Sequence, residues 1–195
     1  MNETEIKRYK DLNQLAEPNG IVIFGSGKDV NIPLGELRQA FAFEPKMYNR
    51  SILSLSVKDA VSVYEECVAS LTPETLLLHI GEADLDFFAE NPTEFDNKYR
   101  ELITCIKAQN KKCCIAVVSL KNYEANPRIE EMNKHLKYIA ESEQCEYGDI
   151  TEKKVWNPKS TKEAVSFVYS MGFMHPLKNK RPLYDIVKML FCYES

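Results

Sequence analysis

A chain of 195 residues, 44% of them hydrophobic, is long enough to bury one core, and no linker-like tract divides it, so a single domain over 1–195 is expected. The net charge of -4, with basic residues interleaved among acidic ones, leaves no electrostatic footprint for nucleic acid or an anionic membrane. No apolar run has the length of a membrane span, the first residues are charged, and the six cysteines show neither a Cys-x-x-Cys pair nor a His at ligand spacing. The expectation is a cytoplasmic protein without metal, whose cysteines are reduced and behave as small buried apolar side chains.

Residues 5–16 carry Ile6, Tyr9, Leu12 and Leu15 at helical spacing, and Pro18-Asn19-Gly20 ends that helix. Ile21-Val22-Ile23-Phe24 follows, bounded by glycines, and reads as a strand buried on both faces. The Gly25-Ser26-Gly27 that ends it allows a sharp turn where a ligand could approach. Asn31-Ile32-Pro33 opens a helix to about Phe43, and residues 47–52 form a second strand. Ser56-Val57-Lys58-Asp59 resembles a capping box for a helix to Leu71. The most continuously apolar run, Thr75-Leu76-Leu77-Leu78-His79-Ile80, belongs in the middle of a parallel sheet.

After a short turn at Asp86-Phe87-Phe88-Ala89, Asn91-Pro92 starts an amphipathic helix through Ile106. Residues 113–120 make a fourth strand, 127–142 a helix and 146–150 a weak fifth strand. Residues 161–170 and 182–192 are expected to be helical. Strands alternating with long helices predict an α/β fold, a three-layer α/β/α sandwich on a five-stranded parallel sheet. In such a sheet ligands bind outside the carboxyl ends of the strands, where Ser26 falls.

Several blocks, in the right order over nearly the whole chain, resemble the SGNH (GDSL-type) hydrolases. Phe24-Gly25-Ser26-Gly27 is similar to their Gly-Asp-Ser block and Asn49-Arg50-Ser51-Ile52-Leu53-Ser54 to their second block. Gly81-Glu82-Ala83-Asp84 is similar to Gly-x-Asn-Asp, and Met174-His175-Pro176 to the late Asp-x-x-His-Pro block. The resemblance implies a flavodoxin-like SGNH fold and ester hydrolysis without a cofactor. In such enzymes a Ser attacks the carbonyl, a His takes its proton, an Asp orients the His, and amides with a Gly and an Asn hold the oxyanion.

Aligned without gaps, however, the nucleophile falls on Gly27, the preceding Asp on Ser26, the second-block Gly on Ser54, the Asn on Ala83, and the His-orienting Asp on Gly172. Only His175 keeps its role, and Glu82, Asp84 or Asp149 would have to supply the missing acid. The candidate catalytic residues are therefore Ser26, on a turn shortened by one residue, and His175. Gly27, Ser54, Gly81, Ala83 and Asp84 are the candidate oxyanion or cleft-lining positions, with Asp84 alternatively capping the helix after it. Asn49 and Arg50 could bind a substrate oxygen, with a surface ion pair as the plainer role. His79, inside an apolar strand, is expected to be a satisfied core histidine. Two functions follow: a serine esterase acting on small acyl or acetyl esters, those of carbohydrates included, or a catalytically inactive relative that uses the same cleft for binding or protein interaction. The first implies a small-molecule ester as partner and the second an unknown ligand or a protein partner, with no nucleic acid or membrane in either and the oligomeric state left open.

Overall fold

The computed structural model describes residues 3–40, 45–122 and 124–151, together with Val187, Leu190 and Phe191. Their elements are α1 (Glu3–Asn13), β1 (Ile21–Gly25), α2 (Leu34–Ala40), β2 (Met47–Asn49), α3 (Ala60–Cys67), β3 (Thr75–His79), α4 (Leu85–Glu90), α5 (Pro92–Gln109), β4 (Cys114–Val118), α6 (Pro127–Ser142) and β5 (Glu146–Gly148). The five strands pair in parallel in the order β2-β1-β3-β4-β5, the α/β arrangement that the alternating pattern predicts.

Strand alternation divides the core in two. Val22, Phe24, Leu76, Leu78 and Val117 face one layer, where Tyr64, Phe95, Tyr99 and Leu136 from α3, α5 and α6 meet them. Ile21, Ile23, Leu77, Ala116 and Val118 face the other, against Leu37 of α2 and the helical residues Val187, Leu190 and Phe191. Burial on both faces explains why β1 and β3 read as continuous apolar runs.

Several boundaries differ from the sequence expectation, each for a local reason. β2 stops at Asn49 because the Asn49 side chain accepts from the Ser51 amide at 2.9 Å and bends the chain, although the Arg50 and Ile52 amides still reach the Ile23 and Gly25 carbonyls. α3 begins at Ala60 rather than at Ser56; the Ser56 hydroxyl donates to Asp84 and accepts from the Lys58 amide at 3.2 Å in the turn that precedes the helix. α3 ends at Cys67, and a 3-10 turn at Ala69–Leu71 closes on Thr72 at φ 41°. The turn expected at residues 86–89 is the helix α4. α6 starts at Pro127 as expected, with the Asn126 side chain accepting from the Arg128 amide at 3.0 Å.

The five described cysteines are free, but of these only Cys67 is fully buried and Cys114 is exposed at the start of β4, which corrects the expectation of uniformly buried thiols. The helix expected at 161–170 lies outside the described residues. Among the described residues no helix is long and apolar enough to cross a membrane.

Candidate functional site

The chain leaves β1 for β2 on one side of the sheet and returns to β3 on the other, so the carboxyl ends of β1 and β3 form the switch point where open α/β sheets bind ligands. Three loops converge there. The Ser26 amide donates to the His79 carbonyl at 3.1 Å, and the Gly27 amide donates to the Leu53 carbonyl at 2.8 Å. The turn after β1 is thereby tied both to the end of β3 and to the loop after β2.

Ser26 is 1% exposed, and its hydroxyl has no hydrogen-bond partner among the described residues. Its backbone is extended, at φ -126° and ψ 178°, so strand alternation carries on through it. Its side chain therefore leaves the sheet on the Phe24 side. His79 lies opposite Gly25 and packs edge-on against Phe191 with ring centroids 4.8 Å apart, which puts its ring on the other face. A Ser26-His79 nucleophile-base pair is excluded by that geometry.

His79 instead bonds Asp29 through Nδ1 at 2.6 Å, with both side chains buried. The Asp29 carboxylate lies directly over Gly25, where a Cβ would come within 2.1 Å of Oδ2, so only glycine fits at the end of β1. The expectation of a fully satisfied histidine holds for one ring nitrogen alone, since Nε2 is buried without a partner among the described residues. Sequence reading missed Asp29. Its single signal was an acid placed four residues after Gly25, with no periodicity to mark it.

At the position where the resemblance puts the nucleophile, Gly27 adopts φ +60° and has no side chain. A Cβ there would stand 1.7 Å from Glu82 Oε2, so the Glu82 carboxylate occupies the space a nucleophile's side chain would fill. The sequence reading offered Glu82 only as a substitute for the missing acid, and its place against Gly27 is what the structure adds. Ser54 and Ala83, where the resemblance puts the oxyanion groups, are exposed, and the Ala83 side chain has no polar group to offer. Gly81 is buried at φ +137°, and a Cβ there would press on Met132 Sδ at 2.9 Å, so packing and backbone geometry account for this glycine.

Asp84 is buried and does not cap α4. Its carboxylate accepts from the Ser56 hydroxyl at 2.5 Å and from the Val57 amide at 3.0 Å, holding the loop after β2 against the turn after β3. Burial pushes its pKa above the ordinary carboxylate value, and those two hydrogen bonds pull it part of the way back.

Asn49 and Arg50 hold the framework together. Asn49 Nδ2 donates to the Asp29 carbonyl at 2.7 Å. Arg50 is only 5% exposed and makes no surface ion pair: Nε reaches Asn13 Oδ1 at 2.9 Å, one terminal nitrogen reaches the Asn49 carbonyl at 2.9 Å, and the guanidinium sits 5.2 Å and 5.5 Å from the Tyr9 and Tyr48 ring centroids. Burial holds its pKa below the usual guanidinium value. Among the described cysteines, burial pushes the Cys67 thiol to about 11 and the Cys113 thiol to about 12, away from a reactive thiolate. Among the described residues no three His, Cys, Asp or Glu side chains group as metal ligands. His175 and Gly172 lie outside the described residues.

This arrangement of sheet and loops is the SGNH hydrolase fold. A candidate platelet activating factor from Streptococcus pneumonia superposes with a TM-score of 0.67 at 19% identity, covering 87% of this chain and 90% of that one. A GDSL-like lipase from Bacteroides thetaiotaomicron superposes with a TM-score of 0.56 at 20% identity over 82% and 87% of the two chains. The acetyl xylan esterase AlAXEase gives 0.57 at 15% identity over 88% and 96%. No family model matches the sequence, and no curated protein does.

Proposed function

We propose that this protein is a non-hydrolytic binding protein built on the SGNH hydrolase fold, taking a small molecule at the carboxyl ends of β1 and β3. The observation that carries this reading is Gly27 at the nucleophile position with the Glu82 carboxylate in the space of the missing side chain. The buried Ser26 hydroxyl and the exposed Ala83 at the oxyanion position support it. Removing one side-chain donor from an oxyanion hole costs about 100- to 1,000-fold in rate, and here the nucleophile is displaced as well. The second reading, a serine esterase on small acyl or acetyl esters through Ser26 and His175, draws on the unpartnered Ser26 hydroxyl.

Labelling with an active-site serine phosphonate followed by peptide mapping separates the two. The binding reading expects no adduct, and hydrolysis of short acyl esters equal to that of Ser26→Ala. An adduct on Ser26 that vanishes in both Ser26→Ala and His175→Ala would overturn it.

A further inference from the structure

We propose that α1 is a strap that opens as a unit while the sheet stays folded, and that its docking sets the turn after β1 at the switch point. The proposal goes beyond the choice between binding and hydrolysis and holds for either.

Apolar burial holds α1 only lightly. Of the stripe Ile6, Tyr9, Leu12 and Leu15 that the sequence aligns, Ile6 alone is buried, Tyr9 is half-buried, and Leu12 and Leu15 are 39% and 84% exposed. Polar side chains supply the other contacts. Asn13 Nδ2 donates to the Cys67 carbonyl at 2.8 Å and to the Ser70 hydroxyl at 3.0 Å, and Asn13 Oδ1 accepts from Arg50 Nε at 2.9 Å. Lys10 pairs with Glu66 at 3.2 Å, and the Tyr9 ring lies against the Arg50 guanidinium at 5.2 Å. Each of these contacts is exchanged for water when the helix lifts, so its net contribution is small beside that of apolar burial. A helix held in this way opens at a lower free energy than strands buried on both faces.

What α1 grips is the tripeptide Asn49-Arg50-Ser51, and the tripeptide in turn grips both ends of the turn. The Tyr9 hydroxyl donates to the Ser51 carbonyl at 2.6 Å, and the Ser51 hydroxyl accepts from the Gly25 amide at 3.1 Å. Arg50 joins Asn13 to the Asn49 carbonyl, and Asn49 Nδ2 donates to the Asp29 carbonyl at 2.7 Å. Hydrogen bonds thus run by two routes from α1 to Gly25 and to Asp29, the residues that bracket Ser26 and Gly27. The Arg50 and Ile52 amides tie the same stretch to the Ile23 and Gly25 carbonyls, so a change in its setting reaches the end of β1 directly. The helix is the element with two positions, docked and lifted, that such a coupling requires.

Native-state amide exchange on the full-length protein tests both parts, in the unmodified chain and in Tyr9→Phe and Asn13→Ala. Tyr9 and Asn13 bond Ser51, Arg50, Cys67 and Ser70, all outside the turn. In the unmodified chain the α1 amides are expected to exchange together, with protection at least about tenfold below that of β1 and β3. Each variant should speed exchange about fivefold across α1, the effect of one lost hydrogen bond. A similar factor is expected at the Gly25, Gly27 and Asp29 amides, which bond Ser51 Oγ, the Leu53 carbonyl and the Ser26 carbonyl, while α5 and α6 stay within about twofold. Protection of α1 equal to that of β1 would overturn the strap. Turn amides unmoved in either variant while α1 loosens, or α5 and α6 loosened as much as α1, would overturn the coupling.

Discussion

The carboxyl ends of β1 and β3 hold two corners built from the same kinds of residue with opposite outcomes. In one, Asp84 is buried and has donors from Ser56 and Val57, so the loop after β2 is fastened to the turn after β3. In the other, Glu82 lies two residues earlier on the same turn, exposed and without a partner among the described residues, against a glycine that has no side chain. The first corner spends its carboxylate on holding loops in place. The second leaves its carboxylate unused by the described framework. The same turn after β3 thus carries one acid that fastens the loops of the fold and one that does not.

The strongest way to break that contrast is to disturb the framework at its tightest point. Gly25→Ala places a Cβ against the Asp29 carboxylate and the His79 carbonyl, forcing the buried Asp29-His79 pair apart. A loss of about 4 kcal/mol in urea unfolding is expected, from overpacking together with the separation of a buried pair. A loss below about 1 kcal/mol would mean that the pair yields easily and does not hold the turn.

Ser56→Ala loosens the fastened corner alone, with an expected cost of about 1.5–3 kcal/mol at neutral pH, the worth of a hydrogen bond to a charged group. The pH dependence follows from the raised pKa of Asp84. A carboxyl whose folded pKa lies above its unfolded value stabilises the fold most when protonated, and this contribution is lost as pH rises through the folded value. Removing the Ser56 donor raises that pKa further. The penalty of Ser56→Ala should therefore shrink as the solution is acidified through the carboxylate range, which unfolding curves at several pH values would reveal. A penalty independent of pH would show that Ser56 acts by packing instead.

Glu82→Gln should have the smallest effect on the fold, within about 0.5 kcal/mol, because an exposed side chain without a partner among the described residues contributes little to stability. Melting temperatures of the two proteins should nearly coincide. A marked destabilisation would make Glu82 a framework residue like Asp84 and erase the contrast between the corners.

The sequence by itself determined the sheet. Apolar runs such as Ile21–Phe24 and Leu76–Ile80, separated by helices of fitting length, admit few arrangements once each crossover must pack back on the sheet with one handedness. It also showed where Gly27, Ser54 and Ala83 depart from the motif blocks they resemble, since an absent side chain needs no structure to be seen. The roles of the polar residues that remain were decided only by the tertiary structure. Arg50 reads as a surface or ligand-binding cation until Tyr9 and Tyr48, 41 and 2 residues away, are found against it. Asp84 reads as a helix cap until Ser56 reaches it from another loop. Asp29 and His79 join across 50 residues, and Glu82 meets Gly27 across 55. Apolar periodicity is a local property with a repeat that can be read along the chain, whereas a polar side chain takes its role from the partner that folding delivers to it.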